Sequence, residues 1–335
     1  MKKQNVKTKR RKVTTIIAVI LLVVLLYFIL GYLYSFKVIS LPDGSAQELD
    51  EVPESYYATI TNAGRIERFE YRSGSITKAA YVYLPYGYDE SDEQTRYDIF
   101  YLMHGGGGSE DGYLGDENSE RDLKHILDNM IENGDIRPTI VVTPTFYRSD
   151  DNGSEGELTE RFPTELVNDL IPALEEKYHT YAESTDSESL KAARSHRIFG
   201  GFSMGSVTTW YTFMNCMDYF EFYLPMSGDC WSSGMLGGID FPHMATASSL
   251  NKSVSKQGYT ADDFYIYSAT GTDDIAHNVL SAQMSSMKRY RKTFKFTDDL
   301  QDGNVKFEVG KDLEHDYPAM MIFLYRGLQY FEEVK

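Results

Sequence analysis

The sequence predicts an α/β protein: a mostly parallel, doubly wound sheet with helices on both faces, preceded by one transmembrane helix. Three observations predict it. From Tyr56 onward, short apolar runs alternate with stretches of helical periodicity, the pattern of successive strand–helix units. Within that pattern Arg197-Ile198-Phe199-Gly200-Gly201-Phe202-Ser203-Met204-Gly205-Ser206-Val207 reads as an apolar strand, a tight turn with Ser203 at its tip, and the start of a helix. Before it, Val13 to Phe36 carries no charged residue.

The uncharged stretch follows a basic one. Lys2, Lys3, Lys7, Lys9, Arg10, Arg11 and Lys12 crowd the first 13 residues. As a helix, 24 residues extend about 36 Å, enough to cross a bilayer core of about 30 Å with some tilt. The basic flank is expected to stay in the cytoplasm, leaving the rest of the chain outside the cell. The competing reading is a cleaved signal peptide, which would make the protein secreted. Its apolar core is usually shorter, and Tyr32-Leu33-Tyr34 is a poor cleavage site. The expected organisation is a cytoplasmic tail over 1–12, an anchor over 13–36, an acidic linker over 37–55 and one globular domain over 56–335. A bacterial cell surface is the expected location.

In the globular part, Gly64 to Tyr71 alternates like a half-buried strand, and Ala79 to Pro85 reads as its partner across a turn at Ser73-Gly74-Ser75. Tyr97 to Met103 and Thr139 to Pro144 are continuous apolar strands, as expected inside a parallel sheet. Glu120–Asn133 and Thr164–Tyr178 have helical periodicity. After the Ser203 segment come strands at 222–227 and 264–269, a helix over 275–294, a strand at 305–309 and a final helix over 318–332. Such a sheet puts functional residues at the carboxyl ends of its strands.

Gly201-Phe202-Ser203-Met204-Gly205 fits the G-x-S-x-G nucleophile elbow. The chain must reverse so sharply that side chains two residues either side of the serine would collide. The pentapeptide alone arises by chance in about one chain in ten of this length, and a serine there also serves as an ordinary helix cap. Its partners elsewhere carry the reading. A serine nucleophile needs a base within hydrogen-bond reach and an acid to orient that base.

His315 follows the last strand and precedes the last helix, the position required by the chain order Ser…Asp…His. His104 is read as shaping the glycine loop, and His277 lies three residues beyond Asp274. His125, His179, His196 and His243 are read as structural, without a neighbouring acid of the right kind. Asp274, in Gly271-Thr272-Asp273-Asp274, is the preferred acid; Asp273 and, one strand earlier, Asp229 are the alternatives, and both acids of the pair also suit a helix cap. The oxyanion of an acyl-transfer transition state needs backbone donors. The Met204 amide at the helix start is one; Gly106, in His104-Gly105-Gly106-Gly107-Gly108, is the expected second. That run is not a phosphate cradle, since no G-x-x-x-x-G-K-[ST] follows.

These segments, with Ser109-Glu110 after the glycine run and Glu314-His315-Asp316 near the end, resemble the esterase D type of α/β-hydrolase. Within it they look most like the feruloyl and acetylxylan esterases of carbohydrate esterase family one, over about residues 57–335. The resemblance implies an α/β-hydrolase fold without a large lid. It implies a serine carboxylic-ester hydrolase that removes feruloyl or acetyl groups from plant cell-wall polysaccharide, with Ser203, Asp274 and His315 as its triad. Family members often carry a Trp where Tyr113 stands and a second Gly where Ser206 stands. The first departure touches the acyl pocket, so the resemblance does not define the acyl group. Mycolyltransferases and thioester hydrolases share the fold. The alternatives are therefore acyl transfer to another alcohol, and a non-catalytic carbohydrate-binding module.

Trp231, after the strand ending Met226-Ser227, and Tyr113 are the expected substrate contacts, since an aromatic face stacks on a sugar or a phenolic ring; packing in the core explains Trp231 equally well. Phe146 and Tyr147 are weaker candidates of that kind. The net charge of −17 becomes −24 without the seven N-terminal positives, which argues against nucleic acid as a partner. No His/Cys/Asp cluster has zinc spacing, so neither metal nor cofactor is expected. Cys216 and Cys230 are expected at opposite edges of the sheet, too far apart for a disulfide.

Overall fold

The computed structural model describes residues 2–35, 46–235, 243–297 and 302–334. Helix α1 (Lys2–Ser35) contains one span long and apolar enough to cross a membrane, Thr14–Leu33. Residues 36–45, the first part of the expected linker, lie outside the described residues. The rest of that linker joins the sheet: β1 (Ala46–Gln47) pairs parallel with the last strand, so the folded unit starts about ten residues before Tyr56.

A pair of antiparallel strands follows, β2 (Arg65–Ser73) and β3 (Ile76–Leu84), joined by the expected turn in which Gly74 takes φ 59°. Next come β4 (Asp98–Met103), the short hairpin β5 (Gly115–Asp116) and β6 (Ser119–Glu120), helix α2 (Asp122–Glu132) and β7 (Thr139–Thr143). Helix α3 (Glu155–Glu165) runs through a π-turn at Leu166–Leu170 into α4 (Ile171–Lys177), and α5 (Ser187–Ala192) leads to β8 (Arg197–Phe202). The remaining elements are α6 (Met204–Asn215), β9 (Phe222–Met226), α7 (Met244–Lys256), β10 (Tyr265–Gly271), α8 (His277–Met287), β11 (Val305–Gly310) and α9 (Tyr317–Val334).

The main sheet has the order β1-β11-β10-β9-β8-β4-β7-β3-β2, parallel except where β3 pairs with β7 and β2. Central strands β4, β7, β8 and β9 are buried along their whole length. Edge strand β2 alternates between buried and exposed residues, one face on the core and one in solvent. One apolar core, with Leu158 and Phe162 of α3, Val207 and Trp210 of α6 and Leu250 of α7, lies on one face of the sheet; α2 and α9 supply the other.

Helices α3, α7 and α8 differ from expectation. The helix expected from Thr164 begins nine residues earlier, at Glu155, where Ser154 and Glu157 form a reciprocal capping box. Pro163 sits inside it. The helix expected over 275–294 spans His277–Met287. Helix α7 was not foreseen because its buried face is made partly of small and polar residues (Thr246, Ala247, Ser253), which carry little periodic signal.

At the amino end of β8, Arg197 pairs with Glu175 of α4 through Nε–Oε1 at 2.5 Å and Nη2–Oε2 at 2.7 Å, both side chains 1% exposed. The Tyr101 and Thr180 hydroxyls also donate to Glu175, and Arg197 donates to the Leu190 carbonyl. Removing one partner of such a pair strands a buried charge. Arg197→Met is therefore expected to cost about 3–5 kcal/mol of stability, read as a lower midpoint in urea unfolding.

Candidate active site

Ser203 follows β8 and takes the N-cap position of α6 with φ 58° and ψ −116°, a strained conformation for a residue with a side chain. The collision expected of the elbow is present. A Cβ on Gly201 would lie 2.6 Å from the Gly205 backbone, and one on Gly205 would lie 2.2 Å from the Met103 carbonyl oxygen at the end of β4. A Cβ on Gly228 would lie 2.6 Å from the Ser203 carbonyl oxygen. Glycine at these positions lets β8 turn at once into α6 and leaves the serine at the carboxyl edge of the sheet.

His315, on the loop between β11 and α9, contacts Asp274 through Nδ1 and Oδ1 at 2.7 Å. Asp274 lies just past β10, is 0% exposed, and also accepts from the Ala276 amide at 2.6 Å. The acid thus orients the imidazole and caps the turn into α8 at once. Asp273 is exposed and its amide donates to Leu313 O. Asp229 is placed elsewhere, 2.9 Å from His243 Nε2. The ring of Phe202 packs against that of His315 at 4.6 Å between centroids. Ser203 and His315 line one pocket of about 250 Å³ with Gly105, Gly106, Tyr113, Phe202, Tyr317 and Met320 among its walls.

The glycine loop closes over the serine. A Cβ on Gly105 would lie 3.4 Å from Ser203 Cβ, and one on Gly106 would lie 3.1 Å from Met204 Cγ. Gly106 and Met204, the two expected oxyanion residues, are therefore neighbours. Met204 is the first residue of α6, so its amide is one of those without an acceptor within the helix. The loop is a turn in which Gly108 N donates to Gly105 O and Gly107 takes φ 69°. His104 shapes it, as expected: Nδ1 contacts Gly105 O at 2.7 Å and Nε2 contacts Thr145 Oγ1 at 2.7 Å. Burial pushes the His104 imidazole below its usual range. Gly107 N donates to Glu155 Oε1 at 3.0 Å, and Tyr147, stacked on His104, donates to the same carboxylate.

Tyr113 is a wall of the pocket, buried, with its hydroxyl pushed up by burial. Trp231 is not among the residues that line this pocket; it is partly buried, with its indole 3.3 Å from where a Gly156 Cβ would be. Phe146 and Tyr147 pack on His104. Ser206, in place of the second glycine, is buried and donates to Gly228 O at 2.7 Å. Cys216 and Cys230 are both free and buried, and burial pushes both thiols up to about 12. Sequence reading missed the acid partners of two histidines, Asp229 for His243 and Asp98 for His196 at 2.7 Å. Each pair joins residues 14 or more positions apart, and nothing local announces it.

Residues 77–317 match the family model Esterase, described as "Putative esterase". The chain is 38% identical over 288 residues to endo-1,4-beta-xylanase Y of Acetivibrio thermocellus, covering 86% of this chain and 25% of that protein. It is 32% identical over 192 residues to an endo-1,4-beta-xylanase/feruloyl esterase of Xylanibacter ruminicola, covering 55% of this chain and 24% of that protein. The chain thus spans about a quarter of the length of these curated relatives. Among solved structures it resembles a serine-to-alanine mutant of the feruloyl esterase module from Clostridium thermocellum complexed with sinapinate. The TM-score is 0.76 at 37% identity, over 88% of this chain and 98% of that one. A CE1 ferulic acid esterase from Anaeromyces mucronatus shares the fold at TM-score 0.59 and 19% identity, over 86% of this chain and 100% of that one. The match over 77–317, with an elbow, a glycine loop and an acid–histidine pair in the expected order, makes this chain a member of the Esterase family.

Proposed function

We propose that this chain is a serine carboxylic-ester hydrolase that removes hydroxycinnamoyl groups, feruloyl above all, from plant cell-wall polysaccharide. The observation that carries the reading is the 2.7 Å contact between His315 and the buried Asp274 beside a pocket that holds Ser203. The relative crystallised with sinapinate, 37% identical across 88% of the chain, supports the acyl class. In this reading Ser203 Oγ attacks the ester carbonyl while His315 Nε2 takes its proton. Asp274 holds the tautomer and steadies the imidazolium. The Met204 and Gly106 amides receive the oxyanion. Collapse expels the sugar alkoxide, protonated by His315, and leaves an acyl-serine. Water, activated by the same imidazole, then releases the free acid. Tyr113 and Trp231 provide aromatic faces for the substrate. Neither a metal nor a cofactor enters these steps.

We also propose that α1 anchors the protein in the cell membrane with the folded domain outside, consistent with the 20-residue span Thr14–Leu33 behind a basic tail. The full chain is then expected to sediment with membranes through a high-salt wash, and a variant lacking residues 2–36 to stay in solution. Recovery of the full chain in the soluble fraction would remove the anchor.

Activity is tested on methyl ferulate and p-nitrophenyl acetate. Ser203→Ala is expected to lower kcat by about 10⁴-fold or more, and Asp274→Asn by about 10⁴-fold with KM little changed. A higher kcat/KM on methyl ferulate assigns the hydroxycinnamoyl class, and the reverse assigns acetyl. Equal rates for wild type and Ser203→Ala would overturn the nucleophile. Adding an acceptor alcohol and analysing products separates transfer from hydrolysis.

A further inference from the structure

The second buried acid–histidine pair near the site has no place in the steps above. Asp229 and His243 are each 1% exposed, with Asp229 Oδ2 and His243 Nε2 2.9 Å apart. The other carboxylate oxygen, Oδ1, accepts from the indole N–H of Trp231 at 3.1 Å. His243 caps α7 in a left-handed conformation, φ 64°, which a non-glycine residue adopts at a cost. A buried carboxylate is unfavourable unless its oxygens are hydrogen-bonded, and here one oxygen meets the histidine and the other the indole.

The segment around them is held from several sides. Gly228 O accepts from Ser206 Oγ at 2.7 Å and from Trp210 Nε1 at 2.9 Å, and Cys230 N donates to Gln283 Oε1 at 2.7 Å. Gly228 packs against the Ser203 carbonyl, and the indole packs over Gly156. The next residue back, Glu155, accepts from Gly107 of the glycine loop. Trp231 therefore stands between two segments that touch the nucleophile and its loop, with its ring plane set by Asp229.

We infer that Asp229 and His243 are positioning residues that hold the Trp231 indole as a fixed aromatic wall of the substrate site. The inference rests on the esterase reading and on Trp231 as a substrate contact. At 1% exposure neither residue reaches the substrate, so both act through the indole. A preset ring binds a planar aromatic or a sugar face without losing rotamer freedom on binding.

The test measures kcat and KM on methyl ferulate and on a feruloylated arabino-oligosaccharide, each relative to p-nitrophenyl acetate. Trp231→Ala is expected to raise the relative KM about tenfold, on methyl ferulate if the indole meets the acyl ring, on the oligosaccharide ester alone if it meets the sugar. Asp229→Ala is expected to raise the same KM several-fold with kcat largely kept. Asp229→Asn, whose amide oxygen still accepts the indole N–H, is expected to restore it. In a Trp231→Phe background, which has no N–H to hold, Asp229→Ala is expected to add nothing. Should Asp229→Ala not fold, His243→Asn, which suits a left-handed position, carries the same comparison. A full KM penalty persisting in the Trp231→Phe background, a loss confined to kcat, or no rescue by asparagine would overturn the inference. Unaltered relative KM in Trp231→Ala would also overturn it while leaving the esterase reading intact. A wild type inert on all three esters would remove the esterase reading itself and the inference with it.

Discussion

The constraint on which the site depends is steric: three backbone segments meet at Ser203 with no room for a Cβ. Gly201 lies against Gly205, Gly205 against the end of β4, and Gly228 against Ser203 itself. These approaches allow β8 to turn within one residue into α6 and force Ser203 to positive φ. The turn is strained, and the surrounding sheet over-determines it. Ser203 N donates to Met226 O, and β8 pairs along its length with β4 and β9. The serine's position is thus a consequence of the central strands, and the loops after β4, β10 and β11 need only reach the same edge.

His196, His243 and His315 each meet a carboxylate within hydrogen-bond distance, and contact alone does not separate their roles. His196 meets Asp98 at the amino end of the sheet, with Tyr181 stacked on its ring at 3.4 Å. His243 meets Asp229 in full burial. His315 meets Asp274 with its own ring partly exposed on the pocket that holds Ser203. A base must be held from behind and open in front, because it exchanges protons with substrate and water. Asp274 holds His315 from behind, and the pocket is the open side.

How much of this could be read in the sequence follows from how local each signal is. The central strands were legible because they are continuous apolar runs, and Ser203 because its glycines sit at fixed offsets. The Asp274–His315 pair was legible through chain order: each follows a strand of a parallel sheet, and such strands end on one edge. Strand β1 was missed because two residues in an acidic stretch carry no periodicity. Asp229–His243 was missed because the two residues meet through the packing of α7, a helix whose buried face is itself weakly apolar. Asp229 was visible as an acid near the site, but which histidine it would meet depended on tertiary structure.

The misplaced start of α3 has the most direct bearing on the site. Starting the helix at Thr164 passes over the Ser154–Glu157 capping box, and with it the fact that Glu155 begins a helix. That position gives the Glu155 side chain its reach. From the first turn of α3 its carboxylate accepts from Gly107 N and from Tyr147, while Tyr147 stacks on His104, whose ring nitrogens span Gly105 O and Thr145. A glycine-rich loop would otherwise be the most mobile part of the site, since glycine has the most backbone freedom to lose. Its outer side is instead held by a helix start and its inner side by a buried histidine. The amide expected to meet the oxyanion is fixed by contacts that come from neither the elbow nor the acid–histidine pair.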